Sequence, residues 1–256
     1  MAKLEIVQFI ARSDNFAVLL HDPESGATAS IDAPDADPII VALKERGWTL
    51  SHILVTHKHL DHIEGIPALR EAYDCSVVGP AESAAETGMY DRRVSDGDSF
   101  NWAGRRAAVM ATPGHTLDHV SYWLPDDKLV FTADLIFSLG CGRVIEGDHA
   151  MMWNSIKKVR ELPDETTLYC GHEYTLANAK FALTVDPDNQ ALTKRLAEVE
   201  RLRAEGKPTL PTTLRREKAE NPFLRADDPA LMRQLGMKGA DPAEVFAAIR
   251  TRKDKF

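Results

Sequence analysis

The sequence predicts an α+β protein in two parts, a strand-rich catalytic part over residues 1–172 and a small all-helical part over residues 173–256. Short apolar runs separated by Gly, Pro and Asp residues indicate the strands of the first part. After residue 172 no strand-like alternation occurs, and the pattern becomes helical. A chain of 256 residues can form one main domain and a smaller second one, and 44% hydrophobic with 27% charged residues is typical of a globular enzyme.

The first hundred residues are predicted to begin as an antiparallel meander and to continue as alternating strands and helices. Strands are predicted over residues 4–10, 16–21, 27–31, 52–55 and 75–78, with helices over residues 39–47 and 65–73. Gly47 is the predicted C-cap of the first helix. The strand–helix–strand order after residue 51 places the end of the 52–55 strand at a sheet edge that commonly binds ligands.

The middle of the chain returns to strands, and the rest is helical. Strands are predicted over residues 98–102, 107–112, 119–124, 128–132 and 167–170. Helices are predicted over residues 150–162, 174–185, 188–205, 228–235 and 242–252. Asp148 is the predicted N-cap of the first of these helices.

A dense cluster of metal-ligating residues follows the 52–55 strand. The segment Thr56–His62 reads T-H-x-H-x-D-H. His57 and His59 alternate, so in extended backbone they face one side and can share one ion. Asp61 and His62 follow after a turn and can face a second ion. The segment therefore predicts a metal site, although taken alone it does not define the reaction.

Three later strand ends supply further candidate ligands, namely His115, Asp134 and His172. Seven ligands are too many for one tetrahedral ion, and the set lacks the Cys ligands common in structural zinc sites. Two divalent ions fit better. The predicted sets are His57, His59 and His115 for one ion and Asp61, His62 and His172 for the other, with Asp134 as the bridge.

Such a pair of ions predicts metal-assisted hydrolysis. Ions about 3.5–4 Å apart lower the pKa of a bridging water towards neutrality and polarise a carbonyl. Zinc is the expected metal, while iron and manganese also suit His and Asp ligands. No G-x-S-x-G motif for a serine nucleophile is present.

Composition narrows the partners and the compartment. A net charge of −8 disfavours nucleic acid as a partner. No apolar run has the length of a membrane span, and no signal peptide is predicted. The three cysteines form no C-x-x-C pair, which favours a reducing compartment. A cytoplasmic monomer acting on a small molecule is expected.

The order of motifs resembles that of the metallo-β-lactamase superfamily. T-H-x-H-x-D-H is followed by P-G-H-T at His115, T-A-D at Asp134 and C-G-H-E at His172. This resemblance implies an αβ/βα sandwich with two sheets inside and helices outside. Because the superfamily supports many reactions, the fold does not identify the substrate.

A finer resemblance is to the glyoxalase II family of hydroxyacylglutathione hydrolases. It rests on segments 134–143 (DLIFSLGCGR), 169–175 (YCGHEYT) and 178–182 (NAKFA), and on 210–214 (LPTTL), 221–225 (NPFLR) and the basic tail 250–256. It implies hydrolysis of S-D-lactoylglutathione to D-lactate and glutathione, the second step of methylglyoxal detoxification. The metal-bound hydroxide would act with Asp61 and Asp134.

By the same resemblance, glutathione would be bound by Arg143, Tyr174, Arg250 and Lys253. One position departs from the family pattern, because Ile145 occupies a place that is commonly tyrosine. A phenol hydrogen bond to glutathione would then be absent. Glu173 is predicted either to orient a ligand or to begin the next helix.

Rival activities remain open within the superfamily and outside it. Lactonases and persulfide dioxygenases commonly lack this helical C-terminal segment, and β-lactamases usually have Cys where Asp134 stands. Another thioesterase activity, or a non-catalytic metal-binding module, is also compatible with parts of the sequence. All seven ligand positions are filled, which favours a catalyst over a degenerate module.

Overall fold

The computed structural model describes residues 2–256, which form two compact units by their internal contacts. The first unit runs to Ala111 and includes Asp118–Phe131, and the second comprises Thr112–Leu117 and Thr132–Phe256. Residues 132–172 therefore pack with the helical residues that follow them. The predicted domain boundary after residue 172 remains a prediction. It divides the sequence at one position, whereas the two units are defined by contacts between residues.

One sheet of the first unit contains six strands in sequence order. They are β1 (Glu5–Ile10), β2 (Phe16–His21), β3 (Thr28–Ile31), β4 (Leu50–Leu54), β5 (Ser76–Pro80) and β6 (Arg92–Val94). The first three are antiparallel, and β3 to β6 are parallel. Ile31 pairs with Leu54 in the parallel register, so Asp32 and the histidine segment leave the sheet at the same edge.

Helices of the first unit pack on this sheet. They are α1 (Ala36–Arg46), α2 (Leu60–Ile63), α3 (Ile66–Tyr73) and α4 (Ala84–Thr87), with a 3₁₀ turn at Ala81–Ser83. The helix α1 begins earlier than predicted because the Asp35 side chain caps it, and Gly47 ends it at φ 67° as predicted. Ile39 and Leu43 of α1 pack with Ile53 in a continuous buried cluster.

A second ladder of strands follows β6 along the chain. It consists of β7 (Ser99–Trp102), β8 (Arg105–Ala111), β9 (Val120–Leu124) and β10 (Leu129–Ala133), each antiparallel to the next. The last two residues of β10 belong to the second unit. There, Gly171 donates its N–H to the Ala133 carbonyl, so the ends of β10 and of the strand preceding Gly171 are adjacent.

The second unit contains four short strands and six helices. The strands are β11 (Ile136–Phe137), β12 (Gly140–Cys141), β13 (Thr167–Cys170) and β14 (Thr212–Thr213). The helices are α5 (His149–Arg160), α6 (Thr175–Val185), α7 (Gln190–Ala204), α8 (Leu214–Glu220), α9 (Pro229–Gln234) and α10 (Pro242–Asp254), with a 3₁₀ turn at Pro222–Leu224. Asp148 caps α5 as predicted. No helix within residues 2–256 is both long enough and apolar enough to cross a membrane.

The segment after residue 172 is helical except for β14, which pairs with β13. The expectation of an all-helical segment missed this strand because two residues carry no alternating pattern. The helix α8 was also missed. Its N-terminus is capped by Thr213, whose hydroxyl accepts from the Arg216 N–H.

Candidate metal centre

Four predicted ligands gather in the first unit, directly after β4. The ring centroid of His57 lies 4.9 Å from that of His59 and 4.1 Å from that of His62. The Nε2 atom of His62 lies 3.7 Å from the Asp61 carboxylate. His57 and His62 are buried. The strand end thus concentrates imidazole and carboxylate donors, as the sequence predicts.

The other three predicted ligands come together in the second unit. The carboxylate of Asp134 lies 3.4 Å from Nε2 of His115 and 3.3 Å from Nε2 of His172. Two donors on one tetrahedral ion, each about 2.0–2.1 Å from the metal, lie roughly 3.3 Å apart. The observed separations of Asp134 from both histidines match this spacing and are compatible with a shared ion.

Asp32 orients the predicted ligand His62, and the sequence analysis did not identify it. Its carboxylate, only 4% exposed, accepts from Nδ1 of His62 at 2.8 Å, and from the Thr56 N–H and hydroxyl at 2.7 and 2.8 Å. A carboxylate on Nδ1 selects the tautomer that ligates through Nε2. Asp32 directly follows β3, so the rule that identified the predicted ligands, a polar residue after a strand, also applies to it.

Asn15 orients the predicted ligand Asp61, and the sequence analysis did not identify it either. Its side-chain amide donates to the Asp61 carboxylate at 2.9 Å and to the Asp61 carbonyl at 3.1 Å. It immediately precedes β2 and is 4% exposed. These two bonds restrict the orientation of the Asp61 side chain, which is otherwise partly accessible to solvent.

Backbone groups of the loop that follows β12 hydrogen-bond to His115. Nδ1 of His115 is 2.9 Å from the Arg143 carbonyl, which assigns Nε2 to ligation. The N–H groups of Ile145 and Glu146 donate to the His115 carbonyl. A Cβ atom at Gly142 would lie 1.9 Å from the Asp134 carbonyl oxygen, so only glycine fits there.

The donor set fits divalent metal ions. All seven predicted residues belong to groups of His and Asp that could hold an ion. They offer imidazole nitrogens and carboxylate oxygens, which suit borderline divalent metals. The polar partners on Nδ1 of His62 and His115 are the outer contacts that metal-ligating histidines usually have.

A cavity of about 700 Å³ lies in the second unit, beside the second ligand set. Its walls include His115 and Asp134, all four residues predicted to bind substrate, and aromatic side chains. The full lining is His115, Asp134, Phe137, Cys141, Gly142, Arg143, Tyr174, Ala177, Asn178, Arg250, Lys253, Asp254 and Phe256. Candidate metal ligands and basic residues therefore share one cavity.

Two basic residues of α10 line the cavity and differ in their surroundings. Arg250 is 4% exposed and donates to the Cys141 carbonyl at 2.9 Å and to Asp254 at 2.8 Å. Its guanidinium therefore already has partners within the cavity wall. Lys253 donates to the Ala177 carbonyl, and burial, followed by the nearby Arg250 charge, lowers its pKa to about 8.

Aromatic rings adjoin the predicted ligand His172. The Tyr174 ring stacks on the His172 ring at 4.8 Å with 4° between their planes. The Phe137 ring meets both edge-on, at 5.9 Å from His172 and 5.3 Å from Tyr174. A residue predicted to bind substrate is thus in direct contact with a predicted metal ligand.

Glu173, for which the sequence allows two roles, hydrogen-bonds to a distant loop. Its carboxylate accepts from the Thr209 N–H at 2.9 Å and the Thr209 hydroxyl at 2.7 Å. Glu173 therefore fixes the residues after α7 to the end of β13.

Cys141 lies in the cavity wall and is a free thiol, 4% exposed. Burial raises its pKa to about 11. Cys170 is also buried, and neither thiol pairs with another cysteine.

Two family models together match almost the whole chain. The metallo-beta-lactamase superfamily matches residues 17–172, and the hydroxyacylglutathione hydrolase C-terminus matches residues 173–256. The hydroxyacylglutathione hydrolase of Rhizobium etli is 54% identical over 256 residues, which is 100% of both chains.

Solved structures share the fold. ETHE1 from Myxococcus xanthus aligns with a TM-score of 0.66 at 27% identity, covering 98% of each chain. The BLEG-1 B3 metallo-beta-lactamase aligns with a TM-score of 0.64 at 23% identity, covering 86% of this chain and 99% of its own. The second likeness shows the fold alone.

Proposed function

Because this chain belongs to the hydroxyacylglutathione hydrolase family of the metallo-beta-lactamase superfamily, we propose that it hydrolyses S-D-lactoylglutathione to D-lactate and glutathione. The observation that carries the proposal is the cavity of the second unit. Its wall contains the candidate ligands His115 and Asp134 together with the basic residues Arg143 and Lys253. A site with metal-ligating and basic residues suits a substrate with a reactive carbonyl and anionic ends.

The seven His and Asp residues would hold two divalent ions in the predicted sets, with Asp134 shared between them. When bound, the ions would supply an acidified water as nucleophile and polarise the thioester carbonyl. Asp32 and Asn15 would keep His62 and Asp61 in ligating orientation. Zinc is the proposed metal, and iron or manganese would suit the same donors.

The substrate would be held by its glutathione moiety. Arg143 is exposed at the cavity and Lys253 is half-buried in it, so both can meet the carboxylates of glutathione. Tyr174 would contact the peptide part from its position on His172. Arg250 would mainly stabilise the cavity wall, since its guanidinium already donates to the Cys141 carbonyl and to Asp254.

The leaving group suits a site without a strong general acid. A thiol has a pKa of about 8.5, so the thiolate leaves with little proton transfer. After attack on the carbonyl, the C–S bond breaks, the acyl carbon keeps the new oxygen, and the thiolate takes a proton from water. The helical residues 173–256 would form the substrate-binding domain.

A substrate comparison tests the proposal. Hydrolysis of S-D-lactoylglutathione, a homoserine lactone and a cephalosporin is measured on one sample whose metal content is determined at the same time. We expect marked preference for the thioester. Preference for either ring substrate would show that the proposed activity is wrong.

The substrate residues have a separate test. Arg143→Ala should raise KM for lactoylglutathione and change kcat less, because Arg143 contacts the glutathione part. Arg201→Ala, on the exposed face of α7, is the matched control. An unchanged KM in Arg143→Ala would exclude Arg143 from the substrate site.

The compartment and assembly belong to the proposal as well. We propose a cytoplasmic monomer, and its three buried, free cysteines agree with a reducing compartment. Size-exclusion chromatography with light scattering tests the monomer.

A further inference from the structure

A short hairpin connects two parts of the proposed active site. Strand β11 follows Asp134, and strand β12 leads through Gly142 to Arg143. Ile136 pairs with Cys141 and Phe137 with Gly140, so Ser138 and Leu139 form a two-residue turn. The shape of this turn affects the ligand at one end of the hairpin and the substrate residue at the other.

The turn has an unfavourable backbone conformation at Leu139. Its φ is 60°, in the left-handed region, which is unfavourable for an L-residue. The Leu139 side chain is fully buried in a cluster with Ala179, Ala182 and Leu192 of α6 and α7. Contacts from the helices therefore impose the conformation, since leucine does not prefer it.

Glu217 of α8 binds the polar groups of the turn. Its carboxylate accepts from the Leu139 N–H at 2.8 Å and from the Ser138 hydroxyl at 3.1 Å. It also accepts from the Thr212 hydroxyl and the Asn221 amide, each at 3.0 Å. Glu217 is completely buried, and burial raises its pKa. A buried carboxylate with four donors is costly to disturb.

Two neighbouring asparagine side chains also hydrogen-bond to the hairpin. The Asn221 amide donates to the carbonyls of Phe137 and Gly140, on either side of the turn. Asn178 donates to the Ser138 carbonyl at 3.2 Å. Phe137, in turn, packs its ring against His172. Every residue from 137 to 140 thus has a polar contact with the side chain of Asn178, Glu217 or Asn221.

We propose that Glu217 is a positioning residue for the thioester hydrolysis, an inference that rests on the proposed function. By holding the left-handed turn, it keeps Asp134 and Arg143 in place at the two ends of the hairpin. The helical segment then has two roles, since it contributes cavity residues and also sets the conformation of a loop that carries a metal ligand.

Glu217→Gln tests this role. Glutamine has the same size, but its NH₂ group would face one of the donors that the carboxylate accepts. We expect faster hydrogen exchange in the peptide spanning residues 136–141. We also expect weaker metal retention and a higher KM for lactoylglutathione, each by about 10-fold, the lower end for outer contacts of a metal site.

Lys218→Gln is the matched control. Lys218 is on the same helix, but it donates to Asp164 and to the Leu162 carbonyl and has no bond to the turn. It should leave hairpin exchange, metal retention and KM near the wild-type values. If Glu217→Gln lowers Tm but matches the control in those three measurements, its role is only structural and the proposal is wrong.

A milder variant covers the case in which Glu217→Gln does not fold. Ser138→Ala removes one donor to Glu217 and should shift the same three measurements by about 2- to 10-fold, the equivalent of one hydrogen bond. No shift would overturn the proposal. If the wild-type protein fails to cleave the thioester, the proposed function is wrong, whereas exchange and metal retention still decide the role of Glu217.

Discussion

Replacing Asp32 by Asn is the sharpest perturbation of the metal site that leaves every proposed ligand in place. Asn has the size of Asp, and its oxygen can still accept from the Thr56 N–H. Its NH₂ group, however, would face Nδ1 of His62, which now lies 2.8 Å from the carboxylate. To accept that donor, His62 must move its proton to Nε2, the atom proposed to ligate the metal.

The structure sets the size of the effect. One hydrogen bond to a charged group is lost, worth about 1.5–3 kcal/mol, which corresponds to roughly 10- to 150-fold in an equilibrium constant. Substitution of outer contacts of metal-ligating histidines generally costs about 10- to 100-fold in affinity. We therefore expect metal affinity to fall by about 10- to 100-fold.

The assay is competition with a chromophoric chelator, followed by measurement of bound metal. Asp91→Asn is the control, since Asp91 also accepts from a backbone N–H of the first unit but contacts no proposed ligand. Thermal unfolding of the metal-free proteins separates stability from affinity. Metal affinity within about twofold of wild type in Asp32→Asn would refute the tautomer argument, because the predicted loss is at least about tenfold.

Three further predictions concern other parts of the site. Asn15→Ala should weaken metal retention by about 10-fold, because Asp61 loses its amide donor, and atomic emission after dialysis measures this. The KM for lactoylglutathione should rise as pH increases through about 8, the pKa of Lys253, because the ammonium then loses its charge. Lys253→Arg, which stays charged, should flatten that dependence, and an unchanged profile would exclude Lys253 from substrate binding. Gly142→Ala should abolish activity, because its Cβ would collide with the Asp134 carbonyl; circular dichroism would show whether the fold persists.

Local sequence signals predicted much of the fold and the proposed ligands. The strands β2 and β13 were predicted to the residue, since each is a short apolar run between strong turn signals. The proposed ligands could be selected from the sequence because each follows a predicted strand, and strand ends converge at sheet edges.

Features held by distant contacts escaped prediction. The turn at Leu139 depends on Glu217, which is 78 residues away in the chain, and two-residue strands have no periodicity to detect. Arg250 was expected to face the substrate, but its partner Cys141 is 109 residues away, so no local pattern reveals its burial. Asp32 and Asn15 are single polar residues whose roles depend on packing around the ligands.

The buried thiol of Cys141 has a consequence for an enzyme that releases glutathione. With a pKa of about 11, only about one in ten thousand Cys141 side chains is a thiolate at pH 7, and the thiolate is the form that exchanges with disulfides. Glutathione disulfide in the cavity would therefore meet an inert sulfur. The enzyme can keep a cysteine in the wall of a glutathione site and still resist mixed-disulfide formation during oxidative stress.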